Sequence, residues 1–399
     1  IFDFRNVVEN YVSADNLATS HSSYKETQLS PASPYPIHII DKYSLSDNST
    51  RYLVIQFYVE YLGADPLRPT IVSKAVGTPI NSDLFTLFNG YLKYTDVLTM
   101  GSTQNPFDFG YSLSTFNLSS QTDKFLTNAP TSQTCNLNDY GTIAFLAPND
   151  NLDYFTLTYY DSDTSTLGSE NINRTEANGA YNVFSSDVKN QIIYFGCFPG
   201  NLQNWSSTFQ TLVTAGTIDG GSIRVQARSN GAAPRISAAY TININCDDLK
   251  GYESIRLCWL NQWGVWDYYT FTKKSTRNIS TQGTTYNQLE GSWNESRYRI
   301  DSYKGGKKAF RVNAMERISM NTDFVSEDFN TMFEELVNSP EVYMLDEYQS
   351  DGVSSALNQY VTPVRLTTSN FTRKTIANDK LIQYTFEVEK SKTLRTQAV

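Results

Sequence analysis

An all-β fold is what this sequence predicts, arranged as multidomain sandwiches or jelly-roll-like sheets with one short helix near the C-terminal part. Many segments of five to eleven residues alternate apolar and polar side chains with the period of a strand. They are separated by clusters of Asn, Asp, Gly, Pro and Ser, which supply turn chemistry. Only one segment carries a helical period. The composition agrees: 27 Tyr, 22 Phe and 40% hydrophobic residues are ample for aromatic cores, and abundant Thr, Tyr and Phe suit a pleated surface better than a helix.

Taking the elements in order, Arg51 to Tyr61 is expected to be a half-buried strand, with Leu53, Ile55, Phe57, Val59 and Tyr61 on one face and Tyr52, Gln56, Tyr58 and Glu60 on the other. Strands follow at Tyr140 to Leu146, Asp153 to Tyr160, Gln191 to Phe198, Gly221 to Ala227 and Ile236 to Cys246. The Trp-rich stretch 258–271 reads as a hairpin turning at Asn261 to Gly264. Glu327 to Asn338 is the one amphipathic helix: Phe329, Met332, Phe333 and Leu336 recur at helical spacing, Ser326 is placed to cap it, and Pro340 forbids continuation. Tyr360 to Leu366 and Lys380 to Glu389 are strands again, the latter turning Ile382, Tyr384, Phe386 and Val388 to one side. Length and texture suggest three units: an N-terminal β domain at 1–130, a second or continuing one at 131–247, and a C-terminal β domain at 248–399 containing helix 327–338.

The charge balance limits the partners. A net charge of −9, with no block of like charges, disfavours electrostatic binding to nucleic acid or to an anionic membrane. No apolar run reaches the roughly 18 residues of a spanning helix, and the opening IFDFRNVVENYVSADN lacks a basic segment followed by an apolar core, so no secretory signal is expected. Cys135, Cys197, Cys246 and Cys258 are widely spaced and read as buried thiols made in a reducing compartment, with one or two disulfides as the alternative.

Motifs for chemistry are sparse. The two histidines, His21 and His38, form no metal-ligand spacing with the cysteines, and His38 reads as a structural residue on a strand. Neither a nucleophile elbow nor a phosphate loop occurs. The 303–308 segment, Tyr-Lys-Gly-Gly-Lys-Lys, reads as a basic hairpin tip. Asp161, Asp163 and Ser165 begin like a calcium loop, but Gly168 falls too late and Ile172 stands where a bidentate glutamate belongs, so a solvated turn is expected. No catalytic residue, metal ligand or cofactor site is therefore assigned. Three of the five Trp lie within eight residues. The cluster reads first as ordinary hairpin packing, with a protein interface or stacking on sugar rings as alternatives; strand parity makes Trp259 a core residue, while Trp263, at the turn, and Trp266 are the candidate interface residues.

The runs Lys124–Pro130 (KFLTNAP), Ile193–Cys197 (IYFGC), Cys258–Phe271 (CWLNQWGVWDYYTF) and Phe333–Tyr343 (FEELVNSPEVY) together resemble a group of tailed-bacteriophage virion proteins of marine and gut phages. The resemblance spans roughly 120–390 and rests on packing and turn motifs. It implies a β-rich structural component of the tail, neck, collar or fibre region rather than an enzyme. It further implies a symmetric homo-oligomer in contact with other virion proteins, assembled in the host bacterial cytoplasm. The alternative is a module on the same particle that binds a host-surface glycan.

Overall fold

The alternating runs fold into three principal sheets and a few two-stranded ladders. A computed structural model describes residues 124–392 apart from 147–151, 174–191, 230–234, 246–251, 293–295, 346–359 and 376–380, together with short pieces of the first 123 residues.

Two of the sheets form a sandwich. The smaller is antiparallel, with Ile192–Phe195 between Tyr43–Leu45 and Ile143–Leu146. The larger runs in the order Thr166–Asn173, Tyr154–Tyr160, Ser222–Arg228, Tyr240–Ile244, Ser132–Cys135, with only the last pair parallel. Strand Tyr154–Tyr160 alternates as expected, burying Phe155, Leu157 and Tyr159. Phe155 stacks on Phe195 of the smaller sheet at 4.6 Å between ring centres and meets Phe145 edge-on at 5.1 Å. Each such buried aromatic contributes about 1.5–3 kcal/mol of hydrophobic stabilisation relative to exposure.

The third sheet is antiparallel throughout and has seven strands: Trp266–Phe271, Ile255–Leu260, Val342–Leu345, Val361–Leu366, Thr385–Lys390, Gly306–Asn321 and Thr276–Gln288. Its first two strands are the expected Trp-rich hairpin, and every residue of both is buried. Parity explains this. Ile255, Leu257, Trp259, Tyr269 and Phe271 join a core beneath helix Phe329–Asn338, whereas Cys258, Leu260, Trp266 and Tyr268 join the core of the sandwich. Phe333 of the helix meets Tyr269 at 5.0 Å and Phe386 at 5.3 Å. The change of texture near Asp247 thus marks a change of sheet but not of core: one hydrophobic cluster runs from Ile37 to Tyr360, across the expected boundary. Asp247 itself lies outside the described residues.

Several local expectations are corrected. The 51–61 run is not one strand but three, Thr50–Leu53, Gln56–Phe57 and Val59–Leu62, each paired with a different segment. The facing stretch 71–88 carries extra residues that shift the register by one and then by four, so the ladder cannot stay continuous. The 327–338 helix begins two residues later, at Phe329, with Asp328 rather than Ser326 at its cap and no side-chain capping bond. Helices Pro199–Trp205, Ser207–Thr214 and the four-residue Arg5–Val8 are additional. The first carries Pro at its start, and Ser206 caps the second by accepting a hydrogen bond from the Phe209 amide at 3.0 Å. No helix among the described residues is long and apolar enough to cross a membrane.

Candidate functional site

The least supported part of the described chain is the far end of the seven-stranded sheet. Strand Gly306–Asn321 pairs with Thr385–Lys390 only through Arg317 to Asn321. Over its remaining length its sole ladder partner among the described residues is Thr276–Gln288. Residues 278–288 therefore rise with 306–316 as a two-stranded ribbon, about 35 Å long at roughly 3.3 Å per residue.

The local sequence explains why the ribbon forms. Its outer strand, TRNISTQGTTYNQ, is rich in β-branched residues and free of proline. At the far end Lys304 donates its backbone N–H to Asp301 O at 2.9 Å, and Gly305 and Gly306 have φ of +87° and +75°. Only glycine takes such values without strain, so the expected basic tip at 303–308 is a turn. The register slips between Thr284 and Thr285, leaving Phe310 as the extra residue of a bulge. Below the bulge Ile279, Thr281 and Gly283 share a face with Glu316, Ala314 and Val312, while Asn278, Ser280, Gln282 and Thr284 share the other with Arg317, Met315, Asn313 and Arg311. Each face mixes apolar and polar side chains, and apolar groups stand in water: Ile279 is 58% exposed and Phe310 55%. Tyr286 and Phe310 touch at 6.3 Å between ring centres, and Tyr303 projects from the tip at 72% exposure.

The root is held by charge. Arg277 reaches Glu253 and Glu316, the latter at 2.7 Å, and Lys390 reaches the other oxygen of Glu316 at 3.0 Å. Arg317 and Arg365 share Glu389 at 2.9 and 3.1 Å. Burial raises the Glu316 pKa, but hydrogen bonds from Arg277 and Lys390 outweigh it and hold the carboxyl below its ordinary range. The Arg317 hydrogen bond does the same for Glu389.

The residues singled out in the Trp cluster lie elsewhere. Trp263, expected at an exposed turn, is 2% exposed, and Trp266 is equally buried. The turn does form at Asn261 to Gly264, but segment 88–91 lies over it: Tyr91 donates its amide to Gln262 O at 2.9 Å, and a Cβ on Gly90 would overlap that same carbonyl. Trp266 meets His38 at 5.2 Å and Tyr343 at 5.6 Å, edge-on in both cases. Both indoles pack inside the chain, so position at a turn did not confer exposure and neither can anchor a surface contact as placed.

Sequence reading missed a buried polar cluster because His38 lies over 200 residues from Cys258 and Tyr268. His38, in a 3-10 turn rather than on a strand, shares a hydrogen bond with Tyr268 Oη at 2.8 Å and stands 3.7 Å from Cys258 Sγ. Beside it Arg256 donates to Tyr140 O and Thr270 Oγ1 and lies over the rings of Phe198 and Tyr268. A Cys–His pair suggests nucleophilic chemistry, but the electrostatics run the other way. Burial, reinforced by Arg256, lowers the His38 pKa to about 3, and burial pushes the Cys258 thiol up. Both groups are neutral, the reverse of a thiolate–imidazolium pair, and both are inaccessible. The cluster serves to seat the Trp-rich hairpin on the sandwich. His21 and Cys246 lie outside the described residues.

Asp161 and Asp163 form the expected turn, with Ser165 donating its amide to Asp163 Oδ1 at 2.8 Å. Among the described residues no group of three or more His, Cys, Asp or Glu is arranged to hold a metal ion. A cleft of about 810 Å³ separates the 124–132 segment from the start of helix Phe329–Asn338, with Phe125, Tyr240 and Phe329 in its walls. Compared with known protein families, with curated proteins and with solved structures, the chain matches none.

Proposed function

We propose that this chain is a structural component of a tailed-bacteriophage particle, in its tail, neck, collar or fibre region, and that it works by contact with other protein subunits rather than by catalysis. The observation that carries the contact role is the ribbon. A two-stranded β-ribbon is marginal in water, and one that leaves Ile279, Phe310 and Val312 exposed gains most by laying them against another surface. The particle comes from the resemblance of the 124–130, 193–197, 258–271 and 333–343 motifs to phage virion proteins. The absence of a motif for chemistry, together with the neutral, enclosed state of the Cys258–His38 pair, supports a non-enzymatic reading.

Purified particles from an infected culture provide the test. Quantitative mass spectrometry should find the chain at a fixed copy number relative to the other particle proteins, and deletion of 278–315 with a short Gly-Ser bridge should remove it from particles. Absence of the intact chain from purified particles, or normal incorporation of the shortened one, would overturn the proposal.

A further inference from the structure

Resting on the assembly reading, we infer that the ribbon's partner is a second copy of this chain, and that the ribbon lies across the body of that copy in a head-to-tail contact rather than pairing with the other ribbon. Charge separates the two modes. Residues 278–315 contain Arg297, Arg299, Lys304, Lys307, Lys308 and Arg311 against Glu290, Glu295 and Asp301, a net +3. In a chain of net −9, everything outside that segment therefore carries −12. Two ribbons packed through their tips and returning strands bring like charges together, whereas the same charges on a neighbour's body meet opposite ones. Complementary potential raises the association rate and disfavours the wrong register.

The shape of the ribbon fits the same mode. Its basic residues cluster towards the tip and on the returning strand, at 304, 307, 308 and 311, while the outer strand from Asn278 to Gln288 has no charged residue. The tip can therefore be steered by the acidic neighbour while Ile279 and Val312, both exposed on one face and four pairs apart along the ribbon, supply apolar contacts that persist after docking. The root fixes the direction of the arm, because Arg277, Glu316, Lys390, Arg317 and Glu389 tie it to the body on both strands. An arm leaving one face of a subunit and landing on a different face of the next is a heterologous contact. Repetition of such a contact closes a ring or extends a filament.

The test uses the full chain with a photocrosslinking benzoylphenylalanine in place of exposed Phe310, mixed as isotopically light and heavy populations so that crosslinks between copies are recognised by mass. Light–heavy crosslinks from position 310 to residues outside 276–321 are the expected result. Crosslinks to residues inside 276–321 of the other copy would establish ribbon-on-ribbon pairing and overturn the inference, as would a lack of any light–heavy crosslink. A second arm uses K307E/K308E/R311E, whose positions are at the ribbon surface, so the thermal melt of the body should match the wild type. Self-association by sedimentation should weaken at least tenfold in this variant, and in the wild type on raising NaCl from 0.05 to 0.5 M. Unchanged association in both would overturn it. If copies associate but position 310 gives no light–heavy crosslink outside 276–321, the ribbon inference fails while the assembly reading stands; a chain absent from particles defeats the assembly reading.

Discussion

Gly264 packs its α-carbon directly against the backbone of Asn89, so closely that a Cβ there would overlap the Asn89 carbonyl. With φ of +71°, Gly264 also occupies the left-handed region that disfavours other residues. This contact brings segment 85–91 down over the Trp-rich hairpin and is the reason the turn is buried. Gly264→Ala is therefore expected to cost about 2–4 kcal/mol, from backbone strain together with displacement of the covering segment. Urea unfolding measures it; a loss below about 0.5 kcal/mol would show that the covering segment is not held there.

Burial of the same hairpin sets the expectation for its indoles. Trp259 lies in the core under the helix and Trp263 in the core of the sandwich, so Trp259→Ala and Trp263→Ala should each cost about 3–5 kcal/mol through cavity formation. Parallel denaturant melts of the two variants check this. A Trp263→Ala protein as stable as the wild type would return that residue to the surface.

Much of this fold is readable in the residues themselves. Alternation located strands Tyr154–Tyr160, Ser222–Arg228 and Thr385–Lys390, because one face of each buries its apolar side chains while the other, Gln226 and Glu389 apart, is not buried. The turn at Asn261 to Gly264 was legible from Asn and Gly. What the turn packs against was not, because that depends on residues 88–91, more than 170 positions away. The ribbon escaped notice for the opposite reason: with both faces in water, neither strand needs a hydrophobic face, and the usual signal of alternation is weak. Helices Pro199–Trp205 and Ser207–Thr214 are too short for a stripe, and only Pro199 and Ser206 mark their starts. Pairing of His38 with Tyr268 and Cys258 joins distant segments and leaves no local trace.

His38 should make stability depend on pH. Its folded pKa is lowered to about 3 by burial and by Arg256, whereas an unfolded histidine titrates near 6.5. Between these values the unfolded state binds the extra proton, so stability falls as pH drops from about 6.5 towards 3, by up to about 1.4 kcal/mol per pH unit for this group. His38→Gln should flatten the curve of stability against pH in that window. An unaltered slope in the variant would contradict the buried neutral imidazole.

The carboxylates at the ribbon root titrate in the other direction. Glu316 and Glu389 have folded pKa values below the ordinary range, so their contribution is fully present above about pH 4.3 and is lost as pH falls through the lowered values. Glu316→Gln should mimic acid at neutral pH, loosening the root by about 1–2 kcal/mol. Faster amide exchange in 277–281 and 314–318, with the sandwich strands unaffected, is the expected signature. Identical exchange in the variant and the wild type would show that the ladder alone holds the ribbon.

Amide hydrogen exchange across 278–288, compared between the free chain and the assembled particle, tests the contact role of the ribbon most directly. Its outer strand is exposed along nearly its whole length and pairs on one edge only, so in the free chain these amides should exchange rapidly, and in the particle they should slow at least tenfold as the ribbon is covered. Equal exchange in the two states would contradict the claim that this ribbon is the surface through which the chain binds its neighbours.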